Sequence, residues 1–172
     1  MSQNAGRRLY VLWADDISKG PNDKVNLIGI YGTEMRLPEP TTISQLYAFV
    51  EISTPLSRPF KTISLSVRAT KETSGTDEEP QKSDKEILVD FNVPATALGQ
   101  VLEAAEQGDL DGIHPEGTSV RTAMRIGLPI SGVKVIDHRF LSVRAETEEG
   151  PMVSEVLLMK VAQPARTDAK QE

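Results

Sequence analysis

Apolar and polar residues alternate with a period of two over most of this chain, the pattern of strands that turn one face to a core. Leu46, Ala48, Val50 and Ile52 alternate with Tyr47, Phe49 and Glu51, and Ile63, Leu65, Val67 and Ala69 with Thr62, Ser64, Ser66 and Arg68. Ile87, Val89, Phe91 and Val93 continue the series. Near the N-terminus both alternating sets are apolar: Leu9, Val11 and Trp13 on one side, Tyr10, Leu12 and Ala14 on the other. That predicts a central strand covered on both faces. Ser18 to Asp23 is turn chemistry, and Val25 to Tyr31 returns as a second strand. Gly29 inside it marks a bulge or a close backbone approach. Three further strands are expected near Val120–Leu128, Val133–Glu146 and Val153–Ala162, with Gly132 before the second and a Gly150-Pro151 turn before the third.

The period changes once. Leu98, Val101, Leu102 and Ala105 follow the spacing of one helical stripe, with Pro94 just before it and Gly108 just after. A helix over 95–107 is predicted. Glu72 to Lys85 contains no apolar residue and reads as a mobile loop. The pattern as a whole predicts a mainly β protein: an antiparallel β-sandwich of about eight strands with one short α-helix. A small barrel is the alternative. The expected organisation is a flexible segment 1–6, one domain over 7–162, and a disordered tail 163–172.

Composition narrows the function more than it directs it. The chain has 172 residues and no cysteine, so neither disulfides nor thiolate metal sites arise. A net charge of −6 and few aromatic residues disfavour nucleic-acid binding, which rests on cations and stacking. No apolar run approaches the ~20 residues of a membrane span. The short apolar run after Arg8 is soon broken by Asp15 and Asp16, unlike a signal peptide, so a cytoplasmic protein with no membrane partner is expected.

The N-terminal pattern resembles a family. Tyr10-Val11-Leu12-Trp13-Ala14-Asp15-Asp16-Ile17 followed by Lys24-Val25-Asn26-Leu27-Ile28-Gly29-Ile30-Tyr31 is similar to the opening of a family of small uncharacterised bacterial and phage proteins. Those begin with an apolar strand, a Cys-Asp-Asp-Ile-Arg step and a Gly-Lys-x-x-Leu-Ile-Gly-x-Tyr return. Here Ala14, Ser18 and Asp23 stand where Cys, Arg and Gly are usual. Leu37-Pro38 and Phe49-Val50-Glu51 extend the likeness, which covers roughly the first third of the chain. The resemblance implies a β-sandwich-like fold, a bacterial or phage origin and no activity; for a phage protein the location would be the host cytoplasm.

Candidate chemistry is sparse. Asp15 and Asp16 could bind a divalent cation or position a general base, but adjacent strand residues face opposite ways, and Asp commonly ends strands by accepting turn hydrogen bonds. Asp109 and Asp111, with Gly112 and Glu116, only partly match a calcium loop, because Gly follows the second acid at once. His114 and His138 lie far apart, and Asp137-His138 lacks a nucleophile elbow. Arg121 and Arg125 share a strand face and could form an anion site together with Arg139 or Arg144. Pairing with Glu146, Glu148 or Glu155 is the competing expectation. Neither a phosphate loop nor a cofactor motif is present.

These readings predict a non-catalytic binding or assembly module without a cofactor. Its expected partner is another copy, as a homodimer or higher oligomer, or another protein. The interface would be a second apolar face built from Tyr10, Leu12, Ile28, Ile30, Tyr47 and Phe49, unless the helix covers it. One alternative is a binder that sequesters an anionic small ligand or nucleotide on the arginine face. A second is a metal-dependent hydrolase using Asp15 and Asp16.

Overall fold

The computed structural model describes residues 6–21, 24–71, 85–107 and 121–162. In chain order these form β1 (Arg8–Ala14), β2 (Asp16–Lys19), β3 (Val25–Ile28), β4 (Glu34–Leu37), β5 (Thr41–Pro55), β6 (Ile63–Lys71) and β7 (Lys85–Asn92). Helix α1 (Ala95–Gln107) follows, then β8 (Arg121–Val135), β9 (Arg139–Thr147), β10 (Gly150–Val153) and β11 (Leu157–Val161). Of the predicted segments 1–6, 72–85 and 163–172, all but Gly6 and Lys85 lie outside the described residues, and Lys85 opens β7.

Two sheets face each other across one core. The first has the order β1-β5-β8; the second runs β4-β11-β9-β6-β7, with β10 added on β9. Period-two alternation supplies the core from both. Leu46, Val50 and Ile52 of the first sheet and Leu65, Val67, Leu141 and Val143 of the second are fully buried. The chain is mainly β with one helix, in the predicted sandwich arrangement. All strand pairs are antiparallel except β4 with β11, which is parallel. A third, small sheet is the β2–β3 ribbon.

Several boundaries differ from expectation. Strand β1 is an edge strand, not a central one. Its second apolar side faces outward, where Ala14 is buried, Leu12 half-buried and Tyr10 exposed, so the expected cover on both sides holds for only part of the strand. Gly132 does not end a strand: β8 runs through it and stays in one register with β5. The left-handed backbone at Gly132 (φ 69°) instead reverses which side chains face inward. Leu128 and Ile130 are buried before it, and Val133 and Val135 after it. The chain turns at Ile136–His138. Gly150 and Pro151 lie within β10, and the expected last strand is two strands with Ser154 between them. Ser154 continues the pairing by exchanging backbone and side-chain hydrogen bonds with Val143, each 2.9 Å. In β7 a bulge opposite Val67/Arg68 moves Ile87 to the outer face, where it is exposed, while Val89 and Phe91 keep the inner face.

Helix α1 coincides with its predicted range. Ala97 and Leu98 pack against the core near Met124 and Ile126. The helix therefore fills the seam between β7 and β8, and its described residues do not cover the outer face of the first sheet. No helix among the described residues is long and apolar enough to cross a membrane.

Candidate functional site: the folded ribbon and the outer sheet face

Register places side chains on the outer face of the first sheet in rows: Tyr10–Glu51–Arg125, Leu12–Phe49–Gly127 and Ala14–Tyr47–Pro129. The bridge between Trp13 and Tyr31 keeps the register of the ribbon, so Ile30 opposes Ala14 on this face. Five of the six predicted interface residues thus share a face. Ile28 does not. The ribbon bends over at Asp15 and Gly29, and Ile28 points away from the sheet beneath it.

The bend follows from its residues. Gly29 has φ 66°, a region that side chains with a Cβ avoid. The Asp15 carboxylate lies directly over it: a Cβ at Gly29 would stand 2.0 Å from Asp15 Oδ2. Tyr31 donates a short hydrogen bond to Asp15 Oδ1. Asp15 N–H donates to the Ile28 carbonyl at 2.9 Å, and Tyr31 N–H to the Trp13 carbonyl at 2.8 Å. Asp16 Oδ1 accepts from the Ile17 amide at 2.8 Å. The Tyr31 hydroxyl is pushed up to about 12, first by its bond to Asp15 and then by burial. Asp15 and Asp16 therefore serve the bend, each with its own partner. Among the described residues no group of three or more acidic, His or Cys side chains could hold a metal ion.

Past the bend, Ile17 is laid on the sheet. A Cβ at Gly127 would lie 3.1 Å from Ile17 Cδ1, so the bare backbone at Gly127 is the seat for this side chain. Ile17 pairs with Leu27 on the same ribbon face, and both are half-buried. Leu12, Tyr47 and Phe49 are half-buried as well. Tyr10, Ile28 and Ile30 stay 57, 54 and 56% exposed.

The arginines do not converge. Arg121 and Arg125 share the outer face, but Arg121 bonds Ser53 (3.1 Å to Oγ) and Arg125 pairs with Glu51 at 2.8 Å. Burial, with Arg8 nearby, lowers the pKa of Arg121. Arg144 lies on the outer face of the second sheet, paired with Glu146. Arg139 lies on the opposite, inward face of β9, bonded to the Lys134 carbonyl at 2.6 Å and to Glu86. Asp137 and His138 sit in the β8–β9 turn and not on a strand, and both line a pocket with Glu86, Lys134 and Arg139. Asp109, Asp111, His114 and Glu116 lie outside the described residues.

Arg7 was not anticipated. Its side chain is 1% exposed and lies over the Phe60 ring, 4.5 Å from the centroid. It donates to Thr147 Oγ1 at 3.0 Å and pairs with Glu148 and, at 3.3 Å, with Glu149. The N-terminal end of β1 is thereby clamped to the β9–β10 hairpin. Burial opposes ionisation of Glu148, but Arg7 and the amides of Glu148, Thr62 and Lys61 outweigh it and hold its carboxyl at about 2. An Arg beside another Arg carries no sequence signal for such a role. Gly29 and Tyr31 did carry one, being the ends of the Gly-x-Tyr step. No family model matches this chain, and no curated protein is significantly similar to it.

Proposed function

We propose that this protein is a non-catalytic assembly module that pairs with a second copy through the outer face of its three-stranded sheet and the ribbon folded over it. The observation that carries this reading is the exposure of Tyr10 and Ile30 beside the half-buried Leu12, Tyr47 and Phe49, with Ile28 exposed on the outward side of the ribbon. Apolar surface that is contiguous and rimmed by polar groups marks interaction sites. The charges suit a twofold pairing. Arg8, Arg121 and Arg125 cluster at one end of the face, and Asp15 and Asp16 at the other. A twofold axis across the Leu12–Phe49 row brings the basic end of one copy to the acidic end of the next. Nothing described supports the arginine-face alternative, since Arg121, Arg125 and Arg144 are each partnered and lie on two different sheets.

Sedimentation over a range of concentrations tests the proposal. The wild-type chain is expected to dimerise, and Ile28→Asp together with Tyr10→Ser to leave a folded monomer. A wild-type chain that stays monomeric at the highest concentration overturns it.

A further inference from the structure

We propose that the pocket between the start of β7 and the β8–β9 turn binds a small zwitterion: a molecule with one carboxylate and one ammonium, of which a free α-amino acid is the simplest. The proposal does not depend on self-association. The pocket measures about 430 Å3, within the range of small-molecule sites. Glu86, Lys134, Asp137, His138 and Arg139 line it, and Ile136 adds an exposed apolar wall.

Arg139 is the key group. Its side chain is only 9% exposed, yet its Nε–H has no acceptor among the described residues. One edge of a guanidinium presents Nε–H and one Nη–H side by side, matched to the two oxygens of a carboxylate. The other nitrogen, Nη1, is committed to the Lys134 carbonyl. Glu86 takes Nη2 and leaves Nε–H empty. The Glu86 side chain is 56% exposed, so it can give way at small expense. A ligand carboxylate entering in its place would take both donors and satisfy the buried Nε–H, which is otherwise unfavourable to leave unbonded.

The remaining charges select the rest of the ligand. Neither the Lys134 ammonium nor the Asp137 carboxylate has an ion pair among the described residues. Lys134 and Arg139 balance Glu86 and Asp137 in formal charge. Such a lining opposes a polyanion, whose surplus negative charge would meet two carboxylates. It suits a molecule of zero net charge with separated ends. The carboxylate goes to Arg139 and Lys134, and the ammonium to Asp137 and the displaced Glu86. The space beside Gly132 is open, with no atom of the described residues within 4 Å of where a Cβ would be.

The test uses the full chain with L-leucine as the probe, whose side chain can lie on Ile136. Acetate, butylamine and inorganic phosphate serve as half-ligands and competing anions. Leucine is expected to give a calorimetric binding isotherm and to raise the melting temperature, because a ligand bound only by the folded state stabilises it. Asp137→Asn and Lys134→Ala, both in exposed positions, are each expected to weaken leucine binding about tenfold, or ~1.4 kcal/mol. Arg139→Lys keeps the charge but removes the paired donors and should abolish binding. Should that variant fail to fold, the two exposed variants still decide the matter. Absence of any leucine isotherm overturns the proposal. So do affinities unchanged in Asp137→Asn and Lys134→Ala, or shifts from acetate or phosphate alone as large as that from leucine.

Discussion

The two outward faces of this sandwich are built differently. On the six-stranded sheet, Ser64, Ser66 and Arg68 of β6 lie against Glu146, Arg144 and Ser142 of β9. Charges there are paired: Arg144 with Glu146, and Lys160 and Arg36 with Glu34 at 2.7 and 2.6 Å. Those two cations, Lys160 first, lower the pKa of Glu34. On the three-stranded sheet the corresponding rows hold Tyr10, Leu12, Phe49 and Tyr47, and the chain folds its own ribbon over part of them. One face meets water mostly through polar side chains, with Ile87 and Val153 as isolated exposed apolar residues at its margins. The other is completed by a segment of the chain and remains apolar where that segment stops. The difference teaches that strict alternation identifies the finished face, while apolar residues on both sides of a strand identify a face that needs a cover.

The same charge placed on both faces gives the largest contrast. Phe49→Asp should destabilise the fold by about 2–4 kcal/mol, because it puts a carboxylate under the ribbon beside Leu12. Ser142→Asp, opposite Arg68, should stay within about 0.5 kcal/mol of wild type. Urea midpoints measure both, and equal losses would break the comparison.

Next comes the bend that closes the cover. Gly29→Ala forces a side chain into a left-handed backbone and into the Asp15 carboxylate. The expected loss is about 1–3 kcal/mol, with faster amide exchange in β2 and β3 than in the second sheet. Uniform exchange throughout would show that the ribbon does not open separately.

Surface ion pairs should matter little on either face. Arg125→Ala and Arg144→Ala are each expected to cost under about 1 kcal/mol by chemical denaturation, as exposed pairs do. A larger loss at Arg125 alone would mean that its pair with Glu51 anchors the apolar face.

The last contrast is one of pH, at the two ends of the scale. Tyr31 titrates near 10.0 when unfolded and at about 12 when folded. The neutral form is favoured by folding, so its contribution is complete below pH 10 and is lost as pH rises through 12. Phenolate absorbance should show Tyr31 titrating late, and Asp15→Asn should return it toward its ordinary value of 10.0. Glu148 runs the other way, with an ordinary value of 4.5 and a folded value of about 2. Its contribution is complete above pH 4.5 and is lost as pH falls through 2. Acid unfolding that is unchanged in Arg7→Met would contradict the role given to that clamp.

Much of the fold was legible because it rests on local rules. Leu46 to Ile52 and Ile63 to Ala69 announce their buried faces by alternation, and Pro94, Gly108 and the stripe at Leu98 and Val101 bound the helix. Gly29 stood out as a close approach, and Asp15 and Tyr31 belonged to the same motif. Which group approached Gly29 was not legible, because the contact crosses a bend. Continuity through Gly132 was also hidden, since a glycine that reverses the inward face within a strand looks like one that ends it.

By itself, the sequence determined a cysteine-free β protein with one helix at 95–107, two strands with clean inner faces, and an N-terminal segment apolar on both sides. These follow from periodicity and from the backbone freedom or restriction of single residues, which act over a few positions. Tertiary structure alone decided that β1 sits at an edge, that Ile17 rests on Gly127, that Arg7 is buried between two glutamates and Phe60, and that Arg139 meets Glu86 while Arg121 and Arg125 go elsewhere. Each depends on residues brought together from distant parts of the chain by sheet order and register. Alternation states that a side chain faces inward or outward; only the arrangement of strands states what it faces.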